Sequence, residues 1–285
     1  MIRAYSEKED WIRTLNLIKS MGIEEEIGSL DDIVSNSTHF LLCNRNGIEG
    51  FAYASFYTNS AEESIAQISV YVEQGSRLKG IGSALYKEIE ECVSKMNPDF
   101  VCTYMKVESE NCIGFTKKMG FERWWGSLEL IYKGGSFPKT DMTFIKYEDR
   151  FFDQFVKMVQ ECYYELHEMN DMKPYLAPED SIKKYKLNDK SNVYVVLENE
   201  QLVAAITLGE GTVENVMVAR GYQGNGYGRK ALQFGVSKLL EGGYEDIRLC
   251  YIEGNESAKR LYNSVGFKPL HNTQVYRKFL CMKRS

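Results

Sequence analysis

Histidine, proline and long apolar runs are scarce in this sequence of 285 residues. No apolar run approaches the ~18 residues that a membrane-spanning helix needs, and the opening residues lack the apolar core of a secretory signal. The three histidines, His39, His167 and His271, do not have the spacing of a metal site. We therefore expect a cytoplasmic protein with no metal and no membrane partner.

Cysteine pairs and an excess of positive charge are absent as well. The seven cysteines form no Cys-x-x-Cys motif, which favours reduced thiols in a reducing compartment. The formal net charge is −5, whereas non-specific binding of nucleic acid needs a dense basic face. This charge balance argues against a nucleic-acid partner and is compatible with a cationic small-molecule acceptor. The length fits two domains of ordinary size.

Three glycines within five residues mark the most informative stretch of the chain. Gly224, Gly226 and Gly228 follow the apolar run at residues 216–218 and precede an apolar pattern typical of a helix. Without a Cβ at these positions, backbone N–H groups at a helix N-terminus can surround an anion. The P-loop and the dinucleotide-binding motif are excluded, because Arg229 stands where the first needs Lys and the second needs Gly.

The remaining pattern, Gln-x-x-Gly-x-Gly at residues 223–228, resembles the pyrophosphate-binding motif of the GNAT acyltransferase superfamily. A second GNAT-like motif, Asn-x-x-Ala-x-x-Leu-Tyr-x-x-x-Gly-Phe, covers residues 255–267. The resemblance extends roughly from residue 191 to residue 279. It implies an α/β fold in which helices flank a mixed, mostly antiparallel sheet. It also implies acetyl-CoA as the cosubstrate and transfer of the acetyl group to an amine.

The resemblance also implies roles for individual residues. Tyr262 would donate a proton to the departing thiolate, unless it is a core aromatic, and the backbone N–H groups of Met217 and Val218 would polarise the thioester carbonyl. Glu214 would be the general base if strand alternation places it on the acceptor side; otherwise it is a solvated charge. Asn255 could also act as a helix N-cap. The expected cofactor-binding residues in this half are Val216, Met217, Val218, Gln223, Gly224, Asn225, Gly226, Tyr227, Gly228, Arg229 and Asn255.

The same unit occurs twice in the sequence, 146 positions apart. Arg77 falls on Gln223, and the GNAT motif accepts either residue at that place, so the first copy also carries a complete motif. A second possible cofactor site is therefore formed by Val70, Val72, Arg77, Lys79, Gly80 and Gly82. A Gly- and Pro-containing break at residues 133–139 predicts two tandem GNAT-like domains, 1–135 and 140–285.

The two copies differ at the positions that carry chemistry. Ile68 stands at the place of Glu214, and Thr116 at the place of Tyr262. The first copy therefore lacks both the carboxylate and the phenol. We expect it to be catalytically degenerate and the second copy to be catalytic.

Each copy is predicted to run through the same series of elements. A first strand leads to two helices, a hairpin, the strand that enters the glycine loop, the helix after the loop, a fifth strand, the motif helix and the closing strands. In the first copy the second helix is expected over residues 24–36.

The acceptor itself is not identified by the sequence. Residues 161–180 combine tyrosines with acidic residues, which suits an amine-bearing small molecule. The helical spacing of Glu161, Glu165 and Glu168 also fits an ordinary solvated helix face. Two other functions stay open: a non-catalytic acyl-CoA-binding or regulatory module, and an enzyme that acetylates proteins or peptides.

Overall fold

The computed structural model describes residues 1–45, 47–107 and 110–280. The chain divides into two compact units. Unit 1 contains residues 1–105, 110–123 and 275–280, and unit 2 contains residues 106–107 and 124–274. The sequence repeat thus corresponds to two folded bodies, although their bounds are not those of the repeat.

Unit 1 is a sheet with helices on both faces. Its strands are β1 (Ile2–Ala4), β2 (His39–Asn44), β3 (Ile48–Thr58), β4 (Ser64–Val72) and β5 (Phe100–Lys106). They pair in chain order, antiparallel except for the parallel pair β4 and β5. The helices are α1 (Glu7–Met21), α2 (Glu24–Ile27), α3 (Leu30–Asn36), α4 (Ile81–Ser94) and α5 (Glu110–Lys118). Helices α1 and α3 cover one apolar face, and α4 covers the other.

Unit 2 repeats this arrangement. Its strands are β6 (Glu122–Tyr132, from residue 124), β7 (Ile145–Lys146), β8 (Val193–Glu198), β9 (Gln201–Leu208), β10 (Thr212–Val218), β11 (Ile247–Ile252) and the first part of β12 (Lys268–Lys278). The order is β6-β11-β10-β9-β8-β7, and β10 and β11 form the parallel pair. The helices are α6 (Phe152–Met169), α7 (Glu179–Lys186), α8 (Tyr227–Glu241) and α9 (Glu256–Val265).

The closing strands are exchanged between the two sequence repeats. Tyr132, from the end of the first repeat, lies in the apolar core beneath α8 of unit 2. Tyr276, from the end of the second repeat, lies in the core of unit 1, and Lys278 Nζ donates to Glu90 Oε1 (2.5 Å) and to the carbonyl of Met119 (2.8 Å) there. The compact units therefore differ from the domains 1–135 and 140–285 that the break at residues 133–139 suggested.

The predicted fold class is confirmed, since each unit is a mixed, mostly antiparallel sheet flanked by helices. The helix expected over residues 24–36 is interrupted. Gly28 has a φ of 76°, and the Ser29 hydroxyl begins α3 by accepting from the amide of Asp32. Among the described residues, no helix is long and apolar enough to cross a membrane.

Candidate active site

Strands β10 and β11 separate in the middle of unit 2 and leave an opening in the sheet. Within the described residues, their parallel pairing on β10 includes Thr212 and Val213, and the rest of β10 pairs as a strand with β9. A parallel pair that stops early leaves backbone N–H and C=O groups directed into the gap. The opening is therefore lined by polar backbone on one edge.

A β-bulge interrupts β10 at Glu214. The register with β9 shifts between Val213 and Asn215, and Val213 and Val216 both pack on the core beneath α8. Residues three apart can face the same side of a strand only where an extra residue has been inserted. The regular strand alternation on which the expected position of Glu214 depended therefore does not hold here. Glu214 is nevertheless exposed and lines the opening.

The direction of the backbone amides separates the two predicted carbonyl-polarising positions. The amide of Ala219 donates to the carbonyl of Val203 on β9 (2.9 Å). Because amide directions alternate along a strand, Met217 also points its N–H towards β9, whereas Val218 and Val216 point theirs into the opening. This geometry favours the amide of Val218 over that of Met217 as the one that faces the opening. Met217 instead buries its side chain beneath α6.

The glycine loop after β10 forms the predicted cradle. Gly224 and Gly226 have φ values of 81° and 85°, and a Cβ added at either would meet nothing within 4 Å. Gln223 Nε2 donates to the carbonyl of Val218 (3.0 Å) and so ties the loop to the strand end. In the described part of the chain, the backbone amides of residues 224–229 have no hydrogen-bond partner. The loop and the N-terminus of α8 therefore present a set of donors that fits a pyrophosphate.

One cleft of about 900 Å³ joins the cradle to the opening. All of the predicted cofactor-binding residues of this half except Asn225 line it, and so do Glu214 and Tyr262. Asn255 also begins α9, because its side chain accepts from the amide of Ala258 (3.0 Å). The N-cap interpretation of Asn255 is thus compatible with its place at the cleft.

Tyr262 is a buried phenol on α9 at the inner part of the cleft. Its ring packs against Tyr251 and Phe267, and 8% of the residue is exposed. Burial raises the pKa of Tyr262 to about 12, so the phenol is protonated at neutral pH. Tyr262 therefore belongs to the core and also reaches the cleft.

A polar group of three residues lies beside α6: Tyr163 and Asn215 line the cleft, and Lys186 is bonded to both. Tyr163 belongs to the segment 161–180 that the sequence suggested for the acceptor, whereas Asn215 and Lys186 were not singled out. Asn215 on β10 accepts hydrogen bonds at Oδ1 from the Tyr163 hydroxyl (2.6 Å) and from Lys186 Nζ (2.5 Å). Burial lowers the pKa of Lys186, and the nearby Glu214 carboxylate opposes that effect. Nothing in the spacing of these residues could have revealed the group, because they come from α6, α7 and β10.

The corresponding region of unit 1 is built differently. Tyr104 occupies the place of Cys250 and is hydrogen-bonded to Tyr57. Thr116, at the place of Tyr262, is 5% exposed and donates its hydroxyl proton to the carbonyl of Cys112 in its own helix (2.9 Å). The predicted second site keeps its loop, since Arg77 Nε donates to the carbonyl of Val72 (3.1 Å) and Gly80 has a φ of 82°.

The family model that matches the sequence is the acetyltransferase (GNAT) family, at residues 152–267. The matched residues include β10, the glycine loop, α8 and α9. Over these residues, which lie within unit 2, the chain is similar to the GNAT family. This similarity supports acyl-CoA-dependent N-acetyl transfer in general.

Solved GNAT structures share the fold over almost the whole chain. A GCN5-related N-acetyltransferase from Sphaerobacter thermophilus matches 98% of this chain and 95% of its own, with a TM-score of 0.71 and 16% identity. A tandem GNAT protein from the clavulanic acid biosynthesis pathway matches 98% of both chains, with a TM-score of 0.64 and 12% identity. A GNAT acetyltransferase from Colwellia psychrerythraea matches 98% of this chain and 100% of its own, with a TM-score of 0.57 and 14% identity. The sequence matches none of the curated proteins with which it was compared.

Proposed function

We propose that unit 2 transfers an acetyl group from acetyl-CoA directly to a primary amine of a small-molecule acceptor. One observation carries this proposal: a single cleft contains an anion cradle, outward-facing strand amides and a buried phenol. The cradle fits the pyrophosphate of acetyl-CoA, the strand amides fit its thioester carbonyl, and the phenol fits its departing thiolate. Unit 1, which keeps only the cradle, is proposed to be catalytically silent.

The binding residues of the proposed site act mainly through the backbone. The amides of residues 224–229 hold the pyrophosphate of coenzyme A, which supplies the acetyl thioester. The N–H of Val218, directed into the opening, stabilises negative charge on the thioester oxygen as the amine attacks. Gln223 fixes the distance between the two groups of donors, because it bonds the loop to the carbonyl of Val218.

Two side chains carry out the proton transfers to and from the substrates. The exposed Glu214 carboxylate, which lines the cleft, removes the proton from the acceptor ammonium. Tyr262 gives its hydroxyl proton to the departing thiolate, and its raised pKa keeps that proton in place until it is needed. The acceptor amine enters on the side of α6, between Glu214 and Tyr163.

A titration of full-length protein with acetyl-CoA by calorimetry tests the first half of the proposal. We expect binding, followed by release of free thiol when a panel of small primary amines is added. Binding without thiol release for any amine would favour a non-catalytic acyl-CoA-binding module. Absence of binding would overturn the acetyltransferase proposal itself.

A further inference from the structure

The polar group of Tyr163, Lys186 and Asn215 is organised around a half-buried cation. Lys186 Nζ lies 4.5 Å from the centre of the Tyr163 ring and 3.4 Å from its hydroxyl oxygen, in addition to its contact with Asn215. Among the described residues no carboxylate forms a salt bridge with Lys186. A half-buried ammonium without an ion-pair partner depends on the neutral oxygens around it.

The ammonium of Lys186 sets the orientation of the Asn215 side-chain amide. An ammonium has only donors, so Asn215 must present its oxygen to Lys186 and not its NH₂ group. The Tyr163 hydroxyl donates to the same oxygen (2.6 Å). A reversed amide would put its NH₂ group against the ammonium of Lys186, donor against donor, whereas the Tyr163 hydroxyl could rotate and accept. The orientation of Asn215 is therefore fixed by Lys186.

The NH₂ group of Asn215 is left to face the cleft. Asn215 is 6% exposed and lines the cleft. In the described part of the chain, its Nδ2 has no hydrogen-bond partner, and it is not among the fully buried polar atoms that lack one. The small exposed part of Asn215 thus includes a free, oriented donor.

This donor lies beside the proposed general base. Glu214 and Asn215 are consecutive residues at the bulge, both line the cleft, and the charge of Glu214 acts on Lys186, the partner of Asn215. An amine that reaches Glu214 brings the neighbouring atoms of the same molecule to Asn215. An apolar neighbour would leave the NH₂ group desolvated without a partner, which costs binding free energy.

We propose that Asn215 is a specificity-determining residue that donates from Nδ2 to an oxygen next to the acceptor's amine, and that Lys186 is the positioning residue that orients it. The acceptor class is then amines with a carbonyl, carboxylate or hydroxyl oxygen close to the nitrogen. This inference rests on the proposed acetyl transfer in unit 2.

The test compares two amines of similar shape, glycinamide and isobutylamine, in thiol-release assays with acetyl-CoA and full-length protein. We expect wild type to favour glycinamide by about tenfold or more in kcat/KM. Asn215→Asp keeps both accepted hydrogen bonds, replaces the donor by an acceptor oxygen and adds a negative charge next to Lys186, so the preference should fall by about tenfold. Comparing ratios between proteins cancels the different intrinsic reactivities of the two amines.

Variants of α7 test the positioning role. Lys186→Met should lose much of the preference, because the freed Asn215 amide can reverse, and Lys186→Arg should retain more of it. Lys184→Met is the matched control, since Lys184 is exposed on the same helix and lies over its neighbour Tyr185 (4.9 Å). Thermal unfolding and acetyl-CoA affinity, measured on each variant, separate a change of preference from a loss of fold.

A failure of the Asn215 proposal can be told apart from a failure of the proposed acetyl transfer. Equal use of both amines, or binding of acetyl-CoA with turnover of neither, would overturn the role of Asn215, as would an unchanged preference in Asn215→Asp. An unchanged preference in Lys186→Met would remove Lys186 from the proposal. Failure of wild type to bind acetyl-CoA would overturn the proposed function instead.

Discussion

The two glycine loops of this chain have nearly the same backbone, although their surroundings differ. Gly80 and Gly226 begin their helices with φ values of 82° and 85°. Arg77 and Gln223, at matching positions, each donate to the carbonyl five residues earlier, at 3.1 and 3.0 Å. Backbone geometry at a turn depends on a few glycines and one hydrogen bond, so it can survive when the chemistry around it has changed.

The strands that lead into these loops show the contrast. Strands β3 and β4 pair without a register shift, whereas β9 and β10 contain the bulge at Glu214. Beside the opening, unit 2 has Cys250 where unit 1 has Tyr104. The two units therefore differ in the strand that leads into the loop and in the side chains around it, while the loop itself is nearly the same.

Substitutions in the motif helices, α5 of unit 1 and α9 of unit 2, should show the largest difference in their effect on turnover. Tyr262→Phe removes the proposed proton donor and should lower kcat by about 10²-fold or more. Thr116→Val, the matched change, should leave turnover as it is, because the Thr116 hydroxyl is bonded within its own helix. Steady-state kinetics of both variants check this, and near-normal turnover by Tyr262→Phe would contradict the assignment.

The next difference concerns the two cradles. Gly226→Glu places a carboxylate and a strained φ in the loop of unit 2, and we expect acetyl-CoA affinity to fall by about 100-fold. Gly80→Glu should have little effect, with one acetyl-CoA bound per chain in wild type. Calorimetry measures both the acetyl-CoA affinity and the number of acetyl-CoA molecules bound per chain. A stoichiometry of two, reduced to one by Gly80→Glu, would show that unit 1 still uses its loop.

A residue exchanged between the copies tests the space beside Tyr262. Cys250→Tyr introduces the residue that unit 1 carries at this place and should fill part of the cleft. We expect acetyl-CoA affinity or kcat/KM to fall by about tenfold, and Cys250→Ser to stay near wild type. An active Cys250→Tyr protein would mean that Tyr104 is not what distinguishes unit 1.

The smallest expected effect is on stability. Leu78 is fully exposed and has a φ of 61°, whereas Gly224 at the matching place has a φ of 81°. A left-handed backbone conformation costs more free energy for Leu than for Gly. Leu78→Gly should therefore raise the free energy of unfolding by about 0.5–1 kcal/mol, and Gly224→Leu should lower it by a similar amount. Denaturant unfolding of both variants measures the two changes, and equal midpoints would contradict the argument.

Local sequence patterns were enough to predict the fold and the cradle, because glycines and strand periodicity act over short distances. Gly224, Gly226 and Gly228 therefore revealed the loop, and Tyr262 was found through its motif. The bulge at Glu214 escaped prediction, since pairing with β9 decides it and not the residues of β10 alone. Tyr163 lay in the segment suggested for the acceptor, but its contact with Lys186 and Asn215 was missed for a similar reason, as three separate elements bring the group together.

The exchanged closing strands have a consequence for synthesis on the ribosome. Unit 1 includes Tyr276 in its core and Lys278 bonded to Glu90, and both are translated after the whole of unit 2. At the usual rates of translation, roughly 10–30 seconds pass between residue 123 and residue 280, and during that time unit 1 lacks the closing strand that the second repeat supplies. Unit 1 therefore stays incomplete until the second repeat has been synthesised. Until then the nascent chain exposes an unpaired sheet edge, the kind of edge that chaperones protect from aggregation.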